Sequence, residues 1–383
     1  MRSYEDIVLS HVRKFCAQLY RVNGEKRIAN PGWSVAIDMA KWCDFLTFDI
    51  MSDVVFGVAY NTLENNRYRF VPEAIEASNV RVGVIAQAPE MKLWRLDKRL
   101  FPQAIKARNR FISFVDEMLR DGIKATSTKK GRIMSLLMDA KDPETDTIIR
   151  KSELGAETAT LIVAGTDTTS TAIASMFFYL THNPKAYTRL AQEIRSTFGS
   201  NEDIHLGQRL NSCTYLRACI DESMRMSPSV GGALWREADA GGAIVDGQVI
   251  AAGCDVGTGI YSIHHNPEYY PCPFDFVPER WLSEEASSIH GEVDLAHAAL
   301  NPFSFGPRGC IGKGLAYMEM VLTWAHVLWS FEFKAADGPE GQIGEGQPGA
   351  EHGRHRTGEY QLEDRLTSAK HGPYIQFYPR AVQ

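Results

Sequence analysis

The chain has 383 residues, of which 44% are hydrophobic and 23% charged, and its formal net charge is −6. This balance is that of a globular protein with a large apolar core, and it excludes nucleic acid as a partner because no basic stripe is present. The seven cysteines are irregularly spaced and form no C-x-x-C pair, so we expect neither a disulfide framework nor a zinc site.

Helical spacing of apolar residues dominates the first part of the chain. The pattern predicts helices over residues 3–22, 35–60, 103–124 and 133–140. Residues 1–6 carry charges and no apolar stretch. We therefore expect neither a signal peptide nor an N-terminal membrane anchor in this chain.

The longest predicted helix covers residues 152–182, with Ser152 as its N-terminal cap and a proline shortly after its end. It contains the only long apolar stretch of the chain, and Asp167 lies in the middle of that stretch. A charged residue at the centre of a membrane span is costly. We therefore expect a helix that is buried inside the fold and does not cross a membrane.

After two more predicted helices, over residues 185–198 and 213–226, the pattern changes. Residues 229–262 are short β-prone pieces between glycines, with a hairpin turn at Asp246-Gly247. An ordered proline-rich coil is predicted over residues 266–282, and a helix over residues 311–331. Residues 336–357 are predicted to be a flexible, solvated insertion, and two short strands close the chain. The sequence thus predicts one domain, residues 1–383, that is mainly α with a small β region.

The segment Phe303-Ser-Phe-Gly306-Pro-Arg308-Gly-Cys310-Ile-Gly312 carries the strongest chemical signal. Cys310 precedes an apolar helix, whose free N–H groups and positive potential favour a thiolate, and a thiolate is an electron-donating axial ligand for ferric haem. The glycines allow close approach to a flat ligand, Arg308 supplies a cation for a haem propionate, and Phe303 can shield the sulfur from water. A lone cysteine beside a glycine is usually a small buried hydrophobe, but chance assembly of the whole segment is improbable.

These residues closely resemble the haem-binding signature FxxGxRxCxG of the cytochrome P450 family, which is matched at every fixed position. The resemblance implies a bound haem b with Cys310 as the axial ligand of its iron. It assigns further cofactor contacts to Phe303, Gly306, Arg308 and Gly312. Arg236, in Leu-Trp-Arg-Glu, stands where the family often has a second propionate-binding arginine, although an arbitrary strand arginine is more commonly a surface residue.

The segment Ala164-Gly-Thr-Asp167-Thr168-Thr breaks local preferences in the middle of the long helix. Gly165 costs roughly 1 kcal/mol relative to alanine there, and threonines are poor helix formers. Thr168 could bond back to the Ala164 carbonyl and open the helix for a water, to which Asp167 could relay protons. Taken alone, the segment is explained as well by a polar stripe that packs on a neighbouring helix.

The same segment resembles the oxygen-activating helix of cytochromes P450, with its pattern (Ala/Gly)-Gly-x-(Asp/Glu)-Thr. The resemblance implies that Asp167 and Thr168 are the catalytic acid–alcohol pair, which delivers protons during oxygen activation. It also implies that Gly165 leaves room for oxygen and substrate above the haem.

Glu222 and Arg225 lie three apart on a predicted helix and therefore share a face. Such a pair alone is usually a surface ion pair worth roughly 0–1 kcal/mol. Together with Pro278-Glu-Arg280-Trp281, however, it resembles the ExxR and PERF motifs of the same family, with Trp281 in place of the commoner phenylalanine. The resemblance implies a buried Glu222–Arg225–Arg280 network that is structural and supports haem retention.

As a whole, the resemblance implies a fungal type of cytochrome P450 monooxygenase. Such an enzyme inserts one oxygen atom from O2 into an apolar organic substrate, by hydroxylation or epoxidation, in specialised-metabolite biosynthesis. Its electrons come from NADPH through a separate NADPH–cytochrome P450 reductase, because the chain shows no flavin or dinucleotide fingerprint. The implied location is the cytosolic face of the endoplasmic reticulum membrane.

The N-terminal part of the family is not recognisable in this sequence. We find no anchor, no first β-sheet region and no helix with Trp-x-x-x-Arg, so we expect a cytochrome P450 fold that lacks its N-terminal part, with membrane association only through the missing anchor. Two alternatives stay open. One is a haem-thiolate isomerase, dehydratase or peroxygenase that needs no reductase, against which the Asp167–Thr168 pair argues. The other is a non-catalytic, truncated paralogue.

Overall fold

The structure, a computed structural model, describes residues 2–21, 32–126, 131–141, 146–282 and 293–380. Helices make up most of this part of the chain. They are α1 (Glu5–Arg21), α2 (Met39–Phe56), α3 (Phe70–Gln87), α4 (Leu96–Leu100), α5 (Pro102–Thr126), α6 (Ile133–Asp139), α7 (Lys151–His182), α8 (Pro184–Thr197), α9 (Gln208–Asn211), α10 (Thr214–Met226), α11 (Ile260–His264), α12 (Val293–Ala299) and α13 (Lys313–Ser330).

Short antiparallel strands form a minor part of the fold. They are β1 (Ile37–Asp38), β2 (Arg236–Glu237), β3 (Ala243–Val245), β4 (Gln248–Ile250), β5 (Asp255–Val256), β6 (Phe331–Ala335), β7 (Glu363–Arg365), β8 (Thr367–Ala369) and β9 (Tyr374–Pro379). Strands β1, β9 and β6 form one sheet in that order, and the pairs β2–β5, β3–β4 and β7–β8 stand separately. The predicted hairpin is confirmed, since Asp246 and Gly247 join β3 to β4 with φ angles of 48° and 73°. Three strands, not two, follow residue 357.

Helix α7 runs through the centre of the fold. From Thr169 to Leu180 every residue is buried, and Phe177 packs against Trp324 of α13 with ring centroids 4.3 Å apart. The helix is long and apolar enough to span a membrane, but 72% of its apolar window is buried by the rest of the protein. The expectation of a buried core helix is thus confirmed. The predicted cap at Ser152 is wrong, because the helix begins one residue earlier and Glu153 Oε2 accepts a hydrogen bond from the Arg150 amide at 3.0 Å.

Helix α3, which the sequence patterns did not predict, connects the β7–β8 hairpin to the centre of the fold. Its Gly83 lies so close to the turn that a Cβ atom there would be 2.8 Å from the carbonyl carbon of Arg365. Only a glycine permits this approach of two backbones. The close packing brings β8 and α3 together beside the middle of α7.

Residues 336–357, predicted as a flexible insertion, begin with the 3-10 turn Gly338–Gln342 and then fold back on themselves. The amides of Gly346 and Gln347 donate to the carbonyls of Arg356 and Arg354, at 3.1 and 2.7 Å. The segment is therefore a hydrogen-bonded loop, and its flexibility stays a prediction.

Candidate active site

The cysteine loop places Cys310 just before α13, with its side chain accessible. The loop turns at Gly306, whose φ is 63°, and it is closed by hydrogen bonds from the Gly309 amide to the Gly306 carbonyl (2.9 Å) and from the Cys310 amide to the Phe303 carbonyl (2.8 Å). These bonds fix the backbone while the thiol stays exposed, unlike the buried thiols of Cys16, Cys43, Cys213 and Cys219.

The surroundings of Cys310 fit a flat, anionic group. Gly312 adds no side chain beside the sulfur, since a Cβ there would lie 3.7 Å from the Cys310 Sγ. The ring of Phe303 packs on Tyr317, with centroids 5.2 Å apart. Arg308 is exposed and forms no hydrogen bond or ion pair with another described residue, so its guanidinium is available to a carboxylate. A thiol, a glycine-lined loop and an uncommitted cation are the donor set that a thiolate-ligated porphyrin requires.

Helix α7 leaves one face open in its first half. Exposed side chains recur at Glu157, Thr160 and Ala164, at helical spacing, and Thr168 continues this stripe into the buried half. The Thr168 hydroxyl donates to the Ala164 carbonyl at 2.7 Å, as predicted for a back-bonded threonine. Leu315, five residues after Cys310, packs in the same apolar cluster as side chains of this part of α7. The first half of α7 and the start of α13 thus contribute to one apolar cluster.

Asp167 is the neighbour of Thr168 in sequence, but its carboxylate turns to other partners. Its Oδ2 accepts hydrogen bonds from Asn79 Nδ2 (3.0 Å) and from the Thr367 hydroxyl. Burial raises the pKa of Asp167, while the nearby charge of Lys370 opposes this shift. The acid and the alcohol of the predicted pair therefore occupy different surroundings, and no hydrogen bond joins their side chains in the described geometry.

Gly165 lies against α2. A Cβ atom at this position would be 2.5 Å from both the Sδ and the Cε of Met51. Packing against α2 thus accounts for the glycine without any space over a cofactor, and the role above the haem stays a prediction.

The predicted charged triad is brought together at the end of α10. Arg225 Nε and Nη2 each donate to one Glu222 carboxylate oxygen at 2.9 Å, and Arg280 Nε donates to Oε1 at 3.1 Å. All three side chains are inaccessible to solvent. Burial raises the pKa of Glu222, but the charges of Arg225 and Arg280 outweigh burial and hold this pKa below its usual value. The carboxylate is thus ionised inside the core.

The same carboxylate has a partner that the motif did not identify. Trp281 Nε1 donates to Glu222 Oε2 at 3.0 Å, which the phenylalanine common at this position could not do. Arg225 also donates through its Nη atoms to the backbone carbonyls of His264, Pro273 and Asp275, at 2.8, 2.8 and 3.1 Å. The network therefore attaches the proline-rich coil to α10 in several places.

Arg236 forms no hydrogen bond or ion pair with the described residues of the cysteine loop. It is exposed on β2, and its Nη1 donates to the carbonyls of Leu234 and Trp235, at 3.2 and 2.8 Å. These two bonds join the Arg236 guanidinium to its own chain neighbours. Contact with a propionate stays a prediction, and it requires these bonds to break.

Comparison with known proteins gives a consistent result across the chain. The family model for cytochrome P450 matches residues 1–349. The chain is 46% identical over 379 residues to a cytochrome P450 monooxygenase of Gibberella zeae, covering 99% of this chain and 85% of the relative. It is 47% identical over 386 residues to the cytochrome P450 monooxygenase atnE of Emericella nidulans, with coverages of 100% and 72%. The monooxygenase apf8 of Gibberella fujikuroi is 47% identical over 381 residues, with coverages of 99% and 100%.

The fold agrees with these relationships. The crystal structure of a cytochrome P450DA heme domain superposes with a TM-score of 0.71 at 20% identity, covering 100% of this chain and 74% of that one. The mainly α fold with a small β region is confirmed. A family match over residues 1–349, together with relatives 46–47% identical across nearly the whole chain, shows that this protein belongs to the cytochrome P450 family of haem-containing, oxygen-incorporating oxidoreductases.

Proposed function

We propose that the protein binds haem b and inserts one oxygen atom from O2 into an apolar organic substrate, by hydroxylation or epoxidation, in fungal specialised-metabolite biosynthesis. The observation that carries the proposal is the exposed thiol of Cys310, held in a glycine loop ahead of α13 in a member of the cytochrome P450 family. The relatives named above are fungal proteins called monooxygenases, which supports the reaction class.

Each residue of the site has a task in this proposal. Haem, when bound, supplies the activation of O2 that no side chain can perform. Cys310 Sγ would bind the haem iron, and Phe303, Gly306 and Gly312 would form the surface against the ring. Arg308 and Arg236 would bind the propionates, the latter once its guanidinium leaves the Leu234 and Trp235 carbonyls.

Proton delivery falls to Thr168 and Asp167. The Thr168 hydroxyl lies at the border of the open face of α7 and rotates away from the Ala164 carbonyl to donate toward that face. Asp167 supplies the proton that Thr168 has given up and recovers one from water. Gly165 keeps a role above the ring within this proposal, although its contact with Met51 is sufficient to explain it.

Electrons reach this site from NADPH through NADPH–cytochrome P450 reductase in the proposed reaction. The Asp167–Thr168 pair favours this reading over an isomerase or a peroxygenase, since neither reaction needs protons delivered with electrons. The membership in the family favours an enzyme over a non-catalytic remnant.

The oxygen source tests the proposed reaction. We expect the haem-loaded protein, with reductase and NADPH, to place one ¹⁸O atom from ¹⁸O2 into a member of a panel of apolar compounds, as measured by mass spectrometry. Thr168→Ala should reduce product formed per NADPH by about 10²-fold, the scale of a lost proton donor. Thr188→Ala is the matched control, because Thr188 makes the same back-bond to Pro184 on the exposed side of α8. Products without ¹⁸O, or turnover with peroxide but not with NADPH, would contradict the proposal.

We further propose that the protein acts at the cytosolic face of the endoplasmic reticulum membrane. An apolar tip between α3 and α5 supports this location: Trp94, Leu93 and Leu100 are 85%, 63% and 61% exposed. Exposed basic side chains surround the tip and form no ion pair among the described residues, namely Lys92, Arg95, Lys98 and Arg99. Apolar side chains ringed by cations suit a surface of anionic lipids.

Vesicle binding tests the apolar tip. We expect the protein to sediment with vesicles of phosphatidylcholine and phosphatidylserine and to be released by salt, which screens the cations. Changing Leu93 and Trp94 together to serine should weaken binding at least tenfold, since each buried apolar side chain contributes about 1.5–3 kcal/mol. The control changes Ile244 and Val249, which are 75% and 83% exposed on the β3–β4 hairpin, to serine. Equal binding of both double variants would exclude the tip as the contact.

A further inference from the structure

The carboxylate of Asp167 is held by two side chains from distant parts of the chain. Asn79 Nδ2 donates to Asp167 Oδ2 at 3.0 Å and to the Thr367 hydroxyl oxygen at 2.9 Å, and the Thr367 hydroxyl in turn donates to Asp167 Oδ2. Asp167 and Asn79 are each only 7% exposed. The three residues thus close a hydrogen-bonded triangle where α3, α7 and β8 meet.

A buried cation lies next to this triangle. Lys370, which follows β8, is only 5% exposed, and its Nζ donates to Asp44 Oδ1 at 2.7 Å and to Ser170 Oγ at 3.0 Å. Ser170 lies one turn after Asp167 on α7 and donates to the same Asp44 oxygen at 2.6 Å. A lysine this deep in a protein requires compensating negative charge, which Asp44 and Asp167 supply.

Acidic groups outnumber the cation around it. Besides Asp44 and Asp167, Glu76 of α3 lies close enough to interact with Lys370. The Oε1 atom of Glu76 also forms an ion pair with Nη1 of Arg365 in β7, at 3.3 Å. Burial raises the pKa of Asp167, Lys370 lowers it, and Asp44 raises it again. The charge of Lys370 is therefore the main influence that favours the ionised form of Asp167.

We propose that Asn79, Thr367 and Lys370 are positioning residues for Asp167: Asn79 and Thr367 clamp its carboxylate, and Lys370 places a buried cation next to the clamped group. The inference rests on the proposed function, in which Asp167 supplies protons to Thr168. In that role Asp167 takes a proton from water on one oxygen and passes it on toward Thr168, so that the carboxylate is regenerated in each cycle. The clamped carboxylate makes no direct hydrogen bond to Thr168, so a water carries the proton between them while the clamp holds the carboxylate in place.

Infrared difference spectroscopy of the haem-loaded enzyme tests the clamp without measuring activity. The protonated carboxyl band of Asp167 is identified by its loss in Asp167→Asn and is followed against pH. We expect Thr367→Val, which removes a donor to the carboxylate, to move its titration upward by about one pH unit or more, and Thr367→Ser to restore it. Lys370→Met should move it in the same direction, and Lys370→Arg should reverse the shift. Because Lys370→Met also leaves Asp44 unpaired, the Thr367 pair keeps the test valid if that variant does not fold.

A second measurement links the clamp to proton delivery. In Thr367→Val, product formed per NADPH should fall by on the order of tenfold or more, with recovery in Thr367→Ser and no change in Thr188→Val. An unchanged titration of Asp167 in both Thr367→Val and Lys370→Met would overturn the proposal. So would a shifted titration with unaltered product per NADPH. If the wild type forms no ¹⁸O-labelled product while the titration still shifts as described, the proposed function fails and the clamp itself stands.

Discussion

The Cys310→Ser protein is expected to lose entirely the red-shifted Soret band that a thiolate-ligated haem gives when reduced and treated with CO. A serine hydroxyl does not ionise near neutral pH, so it cannot replace a thiolate as an electron-donating ligand. The side chain of Cys310 is exposed and fills no core space, unlike Cys43 or Cys219. The substitution should therefore change the free energy of unfolding of the haem-free protein by no more than about 0.5 kcal/mol.

A Cys310→Ser protein that loses the Soret band but keeps its fold would show that the effect is on haem ligation and not on folding. Cys254 and Cys272 are exposed as well, so Cys254→Ser and Cys272→Ser are matched controls that should keep the band at full intensity. Absorption spectra of the haem-loaded proteins and urea denaturation of the haem-free proteins provide the two readouts. If Cys310→Ser retained the band, or if either control lost it, Cys310 would not be the ligand.

The Glu222→Gln protein is expected to be less stable by about 3–5 kcal/mol, as is typical when one partner of a buried charge pair is removed. Glutamine leaves the guanidinium groups of Arg225 and Arg280 without their counter-charge inside the core. Because the resemblance assigns this network a part in haem retention, the haem content should fall together with stability. Urea denaturation and the haem content after gel filtration measure the two effects.

Two variants define the size of this effect. Trp281→Phe removes one hydrogen bond to the Glu222 carboxylate and should cost about 1.5–3 kcal/mol, so it gives a milder test if Glu222→Gln does not fold. Arg217→Gln removes a half-exposed arginine from the buried Asp221 on the same helix, but Asp221 keeps the hydrogen bond from the Tyr317 hydroxyl at 2.7 Å, so this change should cost less than Glu222→Gln. A Glu222→Gln protein no less stable than Arg217→Gln would exclude a structural role for the network.

The pH dependence of this stability has a definite sign. The pKa of Glu222 is held below its unfolded value because Arg225 and Arg280 outweigh burial. Its contribution is therefore complete above the unfolded pKa of about 4.3 and is lost as pH falls through the folded value. Glu222→Gln should remove this acid-dependent part of the unfolding curve, which is measured by denaturation between neutral and acidic pH.

The sequence predicted the features whose residues are close together in the chain. The cysteine loop, the i,i+3 spacing of Glu222 and Arg225, and the Thr168 back-bond all depend on neighbours within a few positions. The partners of Asp167 could not be predicted in this way, because Asn79 and Thr367 are 288 residues apart and carry no motif. Only the packing of α3 on the β7–β8 hairpin brings them together.

Two differences show how tertiary contacts override local patterns. Gly165 matched a motif position for oxygen binding, yet its closest neighbour is Met51 of α2. Trp281 was only a departure from a familiar pattern in the sequence, whereas its indole N–H contributes to the charged network. In both cases the neighbour of the residue belongs to a helix that is far away in sequence.

The bonds from Arg225 to the carbonyls of His264, Pro273 and Asp275 have a consequence for how this region evolves. A carbonyl oxygen belongs to the main chain and is present whichever amino acid occupies the position. One guanidinium can therefore keep a stretch without regular strands in the same path even if most of its residues are replaced. Variation would be restricted at the arginine and at the carboxylate that neutralises it, and relaxed along the segment they hold.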